Sequence, residues 1–564
     1  MYRVQGMNFY RVQGFLAMLL RQFLLFAFIV QSIGALHAQN RIATTRDQMI
    51  YGTYITPGDL IIDTPTKVRA DGAELNYYFM AKQWPGLREG GTIWIDGEKL
   101  GFVRMIKLSN TSSAIEPWHV QSVRLKNIPH TQVVTEHLFV QGIRHFELDG
   151  ESEQYPGLSK WPSTRKFVTG SFGFHVIGKL TGGHGISISV SDGGTIKMKG
   201  FEAQHGFSAV RINHGDHDLV IDSIDITNFY VHDTIEGEGF YIGATHKPPL
   251  ARIRGLRMYN GIITRTAAEA LQVQHLIGGT DISHITIRAA DVRWMNAFQP
   301  GQDTGIQWSI DAGDNKLHHI IVDGFGSVGL VPFGSDIQPV GGVSEVSDIL
   351  FNDGLDMGMY LHKSGAHGIH WVFERIHYAN MNERPDYLRT GRPDRNYIVS
   401  AKNGTDEYTF RDIHFDRSKQ KVFQDTAALN VGHSSSESAR APVYRNSGFY
   451  EAASRIRQWF PVFGKYFPAS KAGKFKIPTC WDEGDIAIVT EDEYRFYLCK
   501  ISHESDGVHP KESRYFTLVT WDENGIRNDR PGWSSAAKQS YFPPDDLRLE
   551  ADNYWRELGY GIND

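Results

Sequence analysis

A short apolar phrase that recurs between residues 209 and 361 constrains the fold of this chain more than any other sequence feature. Each copy starts with a small residue and then alternates apolar, variable and apolar positions, as a half-buried β-strand does. The six copies start at Ala209, Gly239, Ala270, Gly305, Gly329 and Gly358, at intervals of 30, 31, 35, 24 and 29 residues. Recurrence on this scale predicts a solenoid whose stacked rungs share one core.

A second strand-like phrase runs in step with the first. Its copies lie between those of the first phrase and start at Leu219, Ile253, Ile282, Leu317 and Val346. Two phase-locked strands per repeat, with Asn, Asp and Gly at the corners, fit a coil that turns two or three times per rung. A β-sandwich would show regular short strands without this paired recurrence. The sequence therefore predicts an all-β fold built as a parallel β-helix.

The segment from Glu236 to Gly243 and the coils around it resemble the right-handed parallel β-helix, pectin-lyase-like superfamily of secreted bacterial proteins. The resemblance extends over about residues 140–430. It implies a right-handed parallel β-helix and a carbohydrate-active protein. It does not choose a reaction, because that superfamily includes lyases, hydrolases, epimerases and non-catalytic proteins, and one scaffold hosts many functions.

Residues 1–38 have the pattern of a secretory signal peptide. Basic residues precede the apolar stretch Phe23–Val30, and a small-residue cleavage pattern follows at Ala35–Ala38. The alternative is that this segment anchors the chain at its N-terminus. No later segment is long and apolar enough for a membrane-spanning helix. We therefore expect a secreted or periplasmic protein without a membrane span in the mature chain.

The rest of the chain divides by composition into four expected parts. These are an N-terminal cap region, the β-helix with its long loops, a linker with a short helix, and a small antiparallel β-module, at residues 39–140, 141–430, 431–476 and 477–564. Aromatic residues of the last part, such as Trp481 and Trp521, are similar to the sugar-stacking residues of chitin-binding-type modules. They fit the core of a small domain equally well. The net charge of −6 gives no indication of a nucleic-acid partner, and we expect a monomer.

Two glutamates, Glu238 and Glu269, precede the small residue in neighbouring copies of the first phrase. Stacked strands lie ~4.7–4.9 Å apart, so two carboxylates at this position should raise the pKa of one of them. Glycosidases use such an acid and base pair. Asp303 lies one residue out of register on the next rung and extends the candidate catalytic set. The alternative is that these glutamates satisfy turn amides or hold a cation between rungs.

Polar residues on or just after the outward side of the first phrase are candidate sugar ligands. They are Arg211, Tyr241, Lys247, Gln272, Gln274, Gln307, Tyr360, His362 and Lys363. Their cations and tyrosines also suit β-elimination from a uronate, which needs a positive charge on the carboxylate and a base for the C5 proton. We expect no cofactor. Calcium held by Asp303, Asp311 or Asp336 is the alternative, although no calcium-loop spacing is present.

A stripe of polar residues at regular spacing suits a linear polymer better than a small compact ligand. The sequence favours a secreted enzyme that hydrolyses glycosidic bonds of a polysaccharide, with Glu238 and Glu269 as acid and base. Two other functions stay open at this point. One is elimination from a uronate polymer, and the other is non-catalytic glycan binding or surface attachment.

Overall fold

The structure is a computed structural model. It describes residues 41–43, 49–50, 53–69, 72–78, 87, 90–110, 120–160, 171–178, 183–212, 218–232, 234, 237–243, 251–264, 266–290, 304–325, 328–334, 341–354, 357–361, 369–381, 397–400, 407–411, 413–415, 421–424, 435–437, 456–459, 480–481, 486–489, 495–500, 503–504, 514 and 516–519.

The described residues of the N-terminal part include short strands and a helical turn. The strands are β1 Arg41–Ile42, β2 Met49–Ile50, β3 Thr53–Tyr54, β4 Leu60–Ile62, β5 Lys67–Arg69, β6 Gly72–Tyr78, β7 Thr92–Ile95, β8 Phe102–Ser109 and β9 Ser122–Asn127, and helix α1 is Gly97–Leu100. The carboxylate of Asp96 caps α1 by accepting a hydrogen bond from the Lys99 amide. Strand β4 pairs in parallel with β7, and β7 with β9, so parallel stacking starts well before residue 141.

The middle of the chain is a parallel β-helix. Its strands are β10 Val133–Asp149, β11 Phe174–Val176, β12 Ile186–Gln204, β13 Val210–Ile212, β14 Leu219–His232, β15 Phe240–Ile242, β16 Ala251–Ile253, β17 Leu256–Thr264, β18 Leu271–Leu276, β19 Thr280–Ala290, β20 Thr304–Ile310, β21 Asn315–Phe325, β22 Val328–Gly334, β23 Gly342–Gly354, β24 Met359–Tyr360, β25 Ile369–Met381, β26 Tyr397–Ser400, β27 Glu407–Arg411, β28 Ile413–Phe415, β29 Lys421–Gln424 and β30 Ser435–Glu437. A 3₁₀ turn lies at Gly157–Lys160. The predicted fold class is confirmed.

The parallel pairings arrange the rungs into three ladders, which we call faces A, B and C. Face A contains residues 122–126, 145–149, 195–199, 223–227, 256–259, 281–283, 316–318, 345–347 and 372–374. Face B contains residues 133–135, 174–176, 201–204, 229–232, 261–264, 285–290, 320–325, 349–354 and 376–381. Face C contains residues 105–109, 137–141, 186–189, 210–212, 240–242, 271–273, 306–310, 328–334 and 359–360.

The inward side chains of successive rungs stack into one continuous core. On face C, Ile212, Ile242, Val273 and Trp308 follow one another in register, and all four are fully buried. Burying an aliphatic side chain of this kind stabilises the fold by about 1.5–3 kcal/mol. The indole of Trp308 also needs a polar partner, and its Nε1 donates a 3.1 Å hydrogen bond to Oγ of Ser344.

A column of left-handed residues forms the corner between faces A and B. Its members are Gly200, Asn228, Asn260, His284, His319, Asp348 and Arg375, with φ between 52° and 68°. Asn, Asp and His tolerate this conformation better than other non-glycine residues. The side chains also support one another: His284 and His319 stack with centroids 5.2 Å apart, and Arg375 binds both carboxylate oxygens of Asp348 at 2.6 and 2.9 Å. The corners therefore form a stacked polar column rather than isolated turns.

Outward residues of face A alternate in charge along eight consecutive rungs. The column is Arg124, Glu147, Lys197, Asp225, Arg257, Asp281, Lys316 and Glu345. Its ends are ion-paired, with Arg124 Nε 2.8 Å from Glu147 and Lys316 Nζ 3.1 Å from Glu345. Opposite charges on neighbouring strands are favourable and like charges are not, so the alternation favours this register. It also leaves this column without a net charge.

The C-terminal strands form separate small sheets. They are β31 Ile456–Trp459, β32 Cys480–Trp481, β33 Ile486–Val489, β34 Arg495–Cys499, β35 His503–Glu504 and β36 Phe516–Val519. Strands β33, β34 and β36 pair antiparallel, and β31 pairs in parallel with β33. The short helix expected in residues 431–476 is therefore wrong at Ile456–Trp459, where the backbone pairs as a strand. The domain boundaries and the sugar-binding role of this part stay predictions, and the expected signal peptide lies outside the described residues. Among those residues, no helix has the length and apolarity to cross a membrane.

Candidate functional site

The outward residues in the middle of the face C strands form a single column. In order along the solenoid they are Asn76, Lys107, Phe139, Ser187, Arg211, Tyr241, Gln272, Gln307 and Val331. Tyr360 follows Val331, because Leu330 pairs with Met359. The repeat therefore predicted the register of Arg211, Tyr241, Gln272, Gln307 and Tyr360 correctly.

Burial divides this outward column into two parts. The members from Asn76 to Tyr241 are half-buried, and we call the five from Lys107 to Tyr241 the accessible stretch. Beyond it, Gln272 and Gln307 are only 5% and 4% exposed, and Tyr360 is buried too. Gln274 is also buried and donates a 3.3 Å hydrogen bond to Oε1 of Gln307. These side chains do not reach solvent in this structure, so their role as sugar ligands stays a prediction.

A histidine at the corner between faces B and C holds Arg211 in place. Its Nη1 lies 2.8 Å from Nε2 of His184, a residue of the turn before β12. A guanidinium can only donate, so His184 accepts this hydrogen bond and carries its ring proton on Nδ1. Burial lowers the pKa of Arg211, while the nearby Tyr241 and Glu238 act in the opposite direction. The guanidinium stays charged at neutral pH because its ordinary pKa is far higher.

Phe207 lies beside this arginine–histidine pair. Its ring is 36% exposed and meets the ring of His184 edge-on, with centroids 6.0 Å apart. The backbone holds the turn closed, because the Phe207 amide donates to Gly183 and the Phe207 carbonyl accepts from Gly237. The apolar ring of Phe207 and the fixed positive charge of Arg211 therefore lie side by side at the edge of the accessible stretch.

Glu238 also lies at this edge of the accessible stretch, shortly before β15. Oγ of Ser208 donates a 2.6 Å hydrogen bond to its Oε2. Burial raises the pKa of Glu238, and the hydrogen bond from Ser208 and the charge of Arg211 only partly oppose this effect. The carboxyl group therefore keeps its proton to a higher pH than an ordinary glutamate does.

Glu238 and Glu269 occupy equivalent positions on adjacent rungs. The Ala209 amide donates to the Glu238 carbonyl at 3.1 Å, and the Gly239 amide donates to the Glu269 carbonyl at 2.9 Å. This is the stacking that the sequence predicted. Their surroundings differ, since Glu238 is half-buried and Glu269 is only 3% exposed. Glu238 is therefore the more exposed residue of the two.

Four predicted site residues, Asp303, Lys247, His362 and Lys363, lie outside the described residues. Asp336, one of the three aspartates considered for calcium, does so too. A second, Asp311, is buried with its Oδ2 3.1 Å from Nδ1 of His275. Calcium takes six to eight oxygen ligands. Within the described residues, no three His, Cys, Asp or Glu side chains come together as a metal site.

A second titratable cluster lies on the outer side of face B, at positions that alternate with core residues. The carboxylate of Glu202 is fully buried, with Nε2 of His232 at 3.1 Å and Nε2 of His175 at 3.5 Å from Oε1. Burial lowers the pKa of His175. The ring of Tyr230 stacks on His232 at 4.1 Å. The cluster joins β11, β12 and β14.

Sequence reasoning missed the N-terminal half of the accessible stretch. Phe139 and Ser187 lie between apolar neighbours, in Leu138–Val140 and Ile186–Ile188, which is the same alternation as in the recurring phrase. That signal was available from the sequence. His184 carried no such signal, because only the fold brings it to Arg211.

Comparisons with known proteins give little similarity. No protein-family model matches the chain, and no curated protein matches it. Among solved structures, an alginate lyase from Paenibacillus sp. str. FPU-7 is similar with a TM-score of 0.33 and 10% sequence identity. The similarity covers 64% of this chain and 99% of the lyase chain. A similarity this low supports no inference about the present chain.

Proposed function

We propose that this protein cleaves a linear polysaccharide that contains uronate residues, by β-elimination at the accessible stretch of face C. The observation that carries the proposal is the placement of Arg211 and Tyr241. They share one register position on adjacent strands, both are half-buried, and the hydrogen bond to His184 fixes the arginine.

Arg211 would bind the carboxylate at C5 of the sugar. A fixed positive charge at this carboxylate stabilises the negative charge that develops when the C5 proton leaves. Arginine suits this task because its planar fork matches a carboxylate and it stays charged. The charge of Arg211 is positioned before substrate arrives, so little reorganisation is needed during the reaction.

Tyr241 would transfer the proton. Its phenolate oxygen takes the C5 proton, and the electrons of the C5–H bond form the C4=C5 double bond. The C4–O bond breaks, and the leaving oxygen takes the proton back from the tyrosine hydroxyl. Strands in a ladder lie ~4.8 Å apart, so a carboxylate on Arg211 brings the neighbouring C5 within reach of Tyr241. No water is consumed.

Hydrolysis is the second candidate, and the raised pKa of Glu238 favours it. A carboxyl group that keeps its proton is suited to protonate a glycosidic oxygen. Both glycosidase mechanisms need a second carboxylate at the sugar. The burial of Glu269 counts against that role, so we place hydrolysis second.

The test is to incubate the protein with neutral, uronate-rich and sulfated polysaccharides and to measure the masses of the products by mass spectrometry. Elimination adds no mass per cut and leaves a conjugated double bond that absorbs ultraviolet light, whereas hydrolysis adds one water per cut. We expect unsaturated fragments from uronate polymers alone. Arg211→Gln should abolish them, and Arg257→Gln, on the exposed face A column, should not.

Fragments that carry one extra water per cut would overturn the elimination and favour Glu238 as an acid. If no polymer is cleaved but one is bound, the protein is a glycan-binding protein. If a neutral polymer is cleaved as well as a uronate, Arg211 does not select the substrate.

A further inference from the structure

The accessible stretch continues beyond the reacting pair towards the N-terminus. Three of its members, Lys107, Phe139 and Ser187, come from rungs that precede Arg211. None of them takes part in the proposed elimination. All three are half-buried, whereas the column on the other side of Tyr241 is closed by burial. Among the described members of this column, a polymer bound at Arg211 therefore meets half-buried side chains towards Lys107 and buried side chains beyond Tyr241.

The spacing of this surface follows from the ladder. Three strand-to-strand steps separate Lys107 from Arg211, which is ~14 Å at about 4.8 Å per step. Ser187, directly before Arg211, has the shortest side chain of the stretch. The surface is therefore recessed between Phe139 and Arg211. The ring of Phe139 stands on the next rung, and Nζ of Lys107 lies 5.3 Å from its centroid.

The charged members of the accessible stretch are all cations. Among the five members of the accessible stretch, two are cations, Lys107 and Arg211, and none is a carboxylate. The outward column of face A differs, because each cation there has an anion on the neighbouring strand. The outward column on the side towards face A is uncharged at these rungs, with Ser109, Gln141 and Ser189 in register. On the side towards face B, Nε2 of His137 lies 3.1 Å from Oε1 of Glu136.

We propose that Lys107, Phe139 and Ser187 form a distal subsite for an anionic sugar residue of the bound polymer. The inference rests on the proposed function for the position of the reacting bond. The sugar residue over Ser187 packs its C–H face against Phe139, and the carboxylate of the residue beyond it pairs with Lys107. Two cations ~14 Å apart with an aromatic ring between them select a polyuronate over a neutral chain.

The experiment compares Lys107→Gln, Lys107→Arg and Phe139→Leu in the full-length protein. Lys316→Gln is the matched control, because Lys316 is a face A lysine with a single ion pair to Glu345. KM and kcat are measured on a long polyuronate and on the shortest oligouronate that is cleaved. Affinity electrophoresis in gels that contain the polyuronate gives binding without turnover, and thermal unfolding gives the folded fraction.

We expect Lys107→Gln to raise KM for the long polymer about tenfold, with kcat unchanged, since one charge-assisted contact is lost. Phe139→Leu should raise the same KM, and Lys107→Arg should restore it. The shortest oligouronate should be cleaved equally well by all variants. Lys316→Gln should behave as wild type.

The subsite proposal is overturned if wild type cleaves or binds the polyuronate and neither Lys107→Gln nor Phe139→Leu changes KM or gel mobility. A kcat loss on the short oligouronate would overturn it too, because these residues would then act at the reacting bond. If wild type binds the polyuronate without cleaving it and Lys107→Gln weakens binding, the elimination fails and the subsite stands. A protein that binds no polyuronate refutes both.

Discussion

Nη1 of Arg211 donates a 2.8 Å hydrogen bond to Nε2 of His184, 27 residues earlier in the chain. The two side chains belong to different rungs and to different elements, since one lies on β13 and the other in the turn before β12. The bond fixes the guanidinium of Arg211, whose neighbour on the next strand is Tyr241. The position of the cation beside the reacting tyrosine therefore depends on this turn, which also bonds face C through the carbonyls of His184 and Gly185.

Replacing His184 tests this positioning role. His184→Ala removes the acceptor, and we expect KM for a uronate polymer to rise about tenfold. His184→Gln supplies an amide oxygen that can accept from the guanidinium, so it should recover most of the affinity. A purely structural histidine would show equal losses in both variants, with a matching fall in thermal stability.

Tyr241→Phe removes the proton-transfer group and keeps the ring. We expect kcat to fall by about 10²–10⁴-fold, the usual contribution of general acid–base catalysis, with little change in KM. Steady-state kinetics on a polyuronate measures both constants. Tyr259→Phe is the control, because Tyr259 is an exposed tyrosine of face A. Retention of kcat in Tyr241→Phe would remove Tyr241 from the mechanism.

Glu238→Gln and Glu269→Gln separate elimination from hydrolysis. Elimination should continue in both variants, and hydrolysis would stop in at least one.

Burial raises the pKa of Glu238, so its contribution to stability is complete below the ordinary glutamate pKa and is lost as the pH rises through the raised value. Glutamine stays neutral, so thermal unfolding of Glu238→Gln should lack this decline. An unchanged pH profile would contradict the assigned shift.

His319 should make the fold sensitive to mild acid. Burial, with the charges of His318, His284 and Arg375, lowers its pKa from 6.5 to about 4, and Asp348 only partly opposes this. The unfolded chain binds this proton more tightly than the folded chain does. The contribution of His319 to stability is therefore complete above pH 6.5 and is lost as the pH falls towards 4.

Unfolding midpoints between pH 7 and pH 4 should therefore fall less in His319→Asn than in wild type. Asparagine tolerates the left-handed conformation, so the corner itself is kept. His130→Asn is the control, because His130 is also left-handed and lies outside this column. Equal acid sensitivity in His319→Asn and wild type would show that His319 is not the responsible group.

Asp323 links three rungs of face B and should be important for stability. Its Oδ2 lies 2.9 Å from Nη2 of Arg288, its Oδ1 accepts from Asn352 at 2.8 Å, and all three side chains are buried. Asp323→Ala leaves a buried guanidinium without its carboxylate and should cost about 3–5 kcal/mol in the free energy of unfolding. Denaturant unfolding measures this cost. Asp323→Asn, which keeps one acceptor oxygen, should lose less, and a cost for alanine below about 1 kcal/mol would contradict the role.

Much of the fold could be predicted because a parallel β-helix repeats its constraints. Alternation of period two in the recurring phrase assigned Val210 and Ile212 to the core and Arg211 to the outside, and the register confirms this. The corners were predicted less completely. Asn, Asp and Gly were expected there, whereas His284, His319 and Arg375 also adopt left-handed φ. Their stacking and ion pairs come from neighbouring rungs, which no single turn sequence reveals.

The sequence by itself determined the solenoid, the register of its outward column and the stacking of Glu238 on Glu269, because these depend on local periodicity and repeat length. Only the tertiary structure decided which outward residues remain accessible. Gln272 and Gln307 share the register of Arg211 and Tyr241 but are buried, and His184 reaches Arg211 across a rung. Burial and side-chain contact depend on residues distant in sequence, so strand periodicity alone does not determine them.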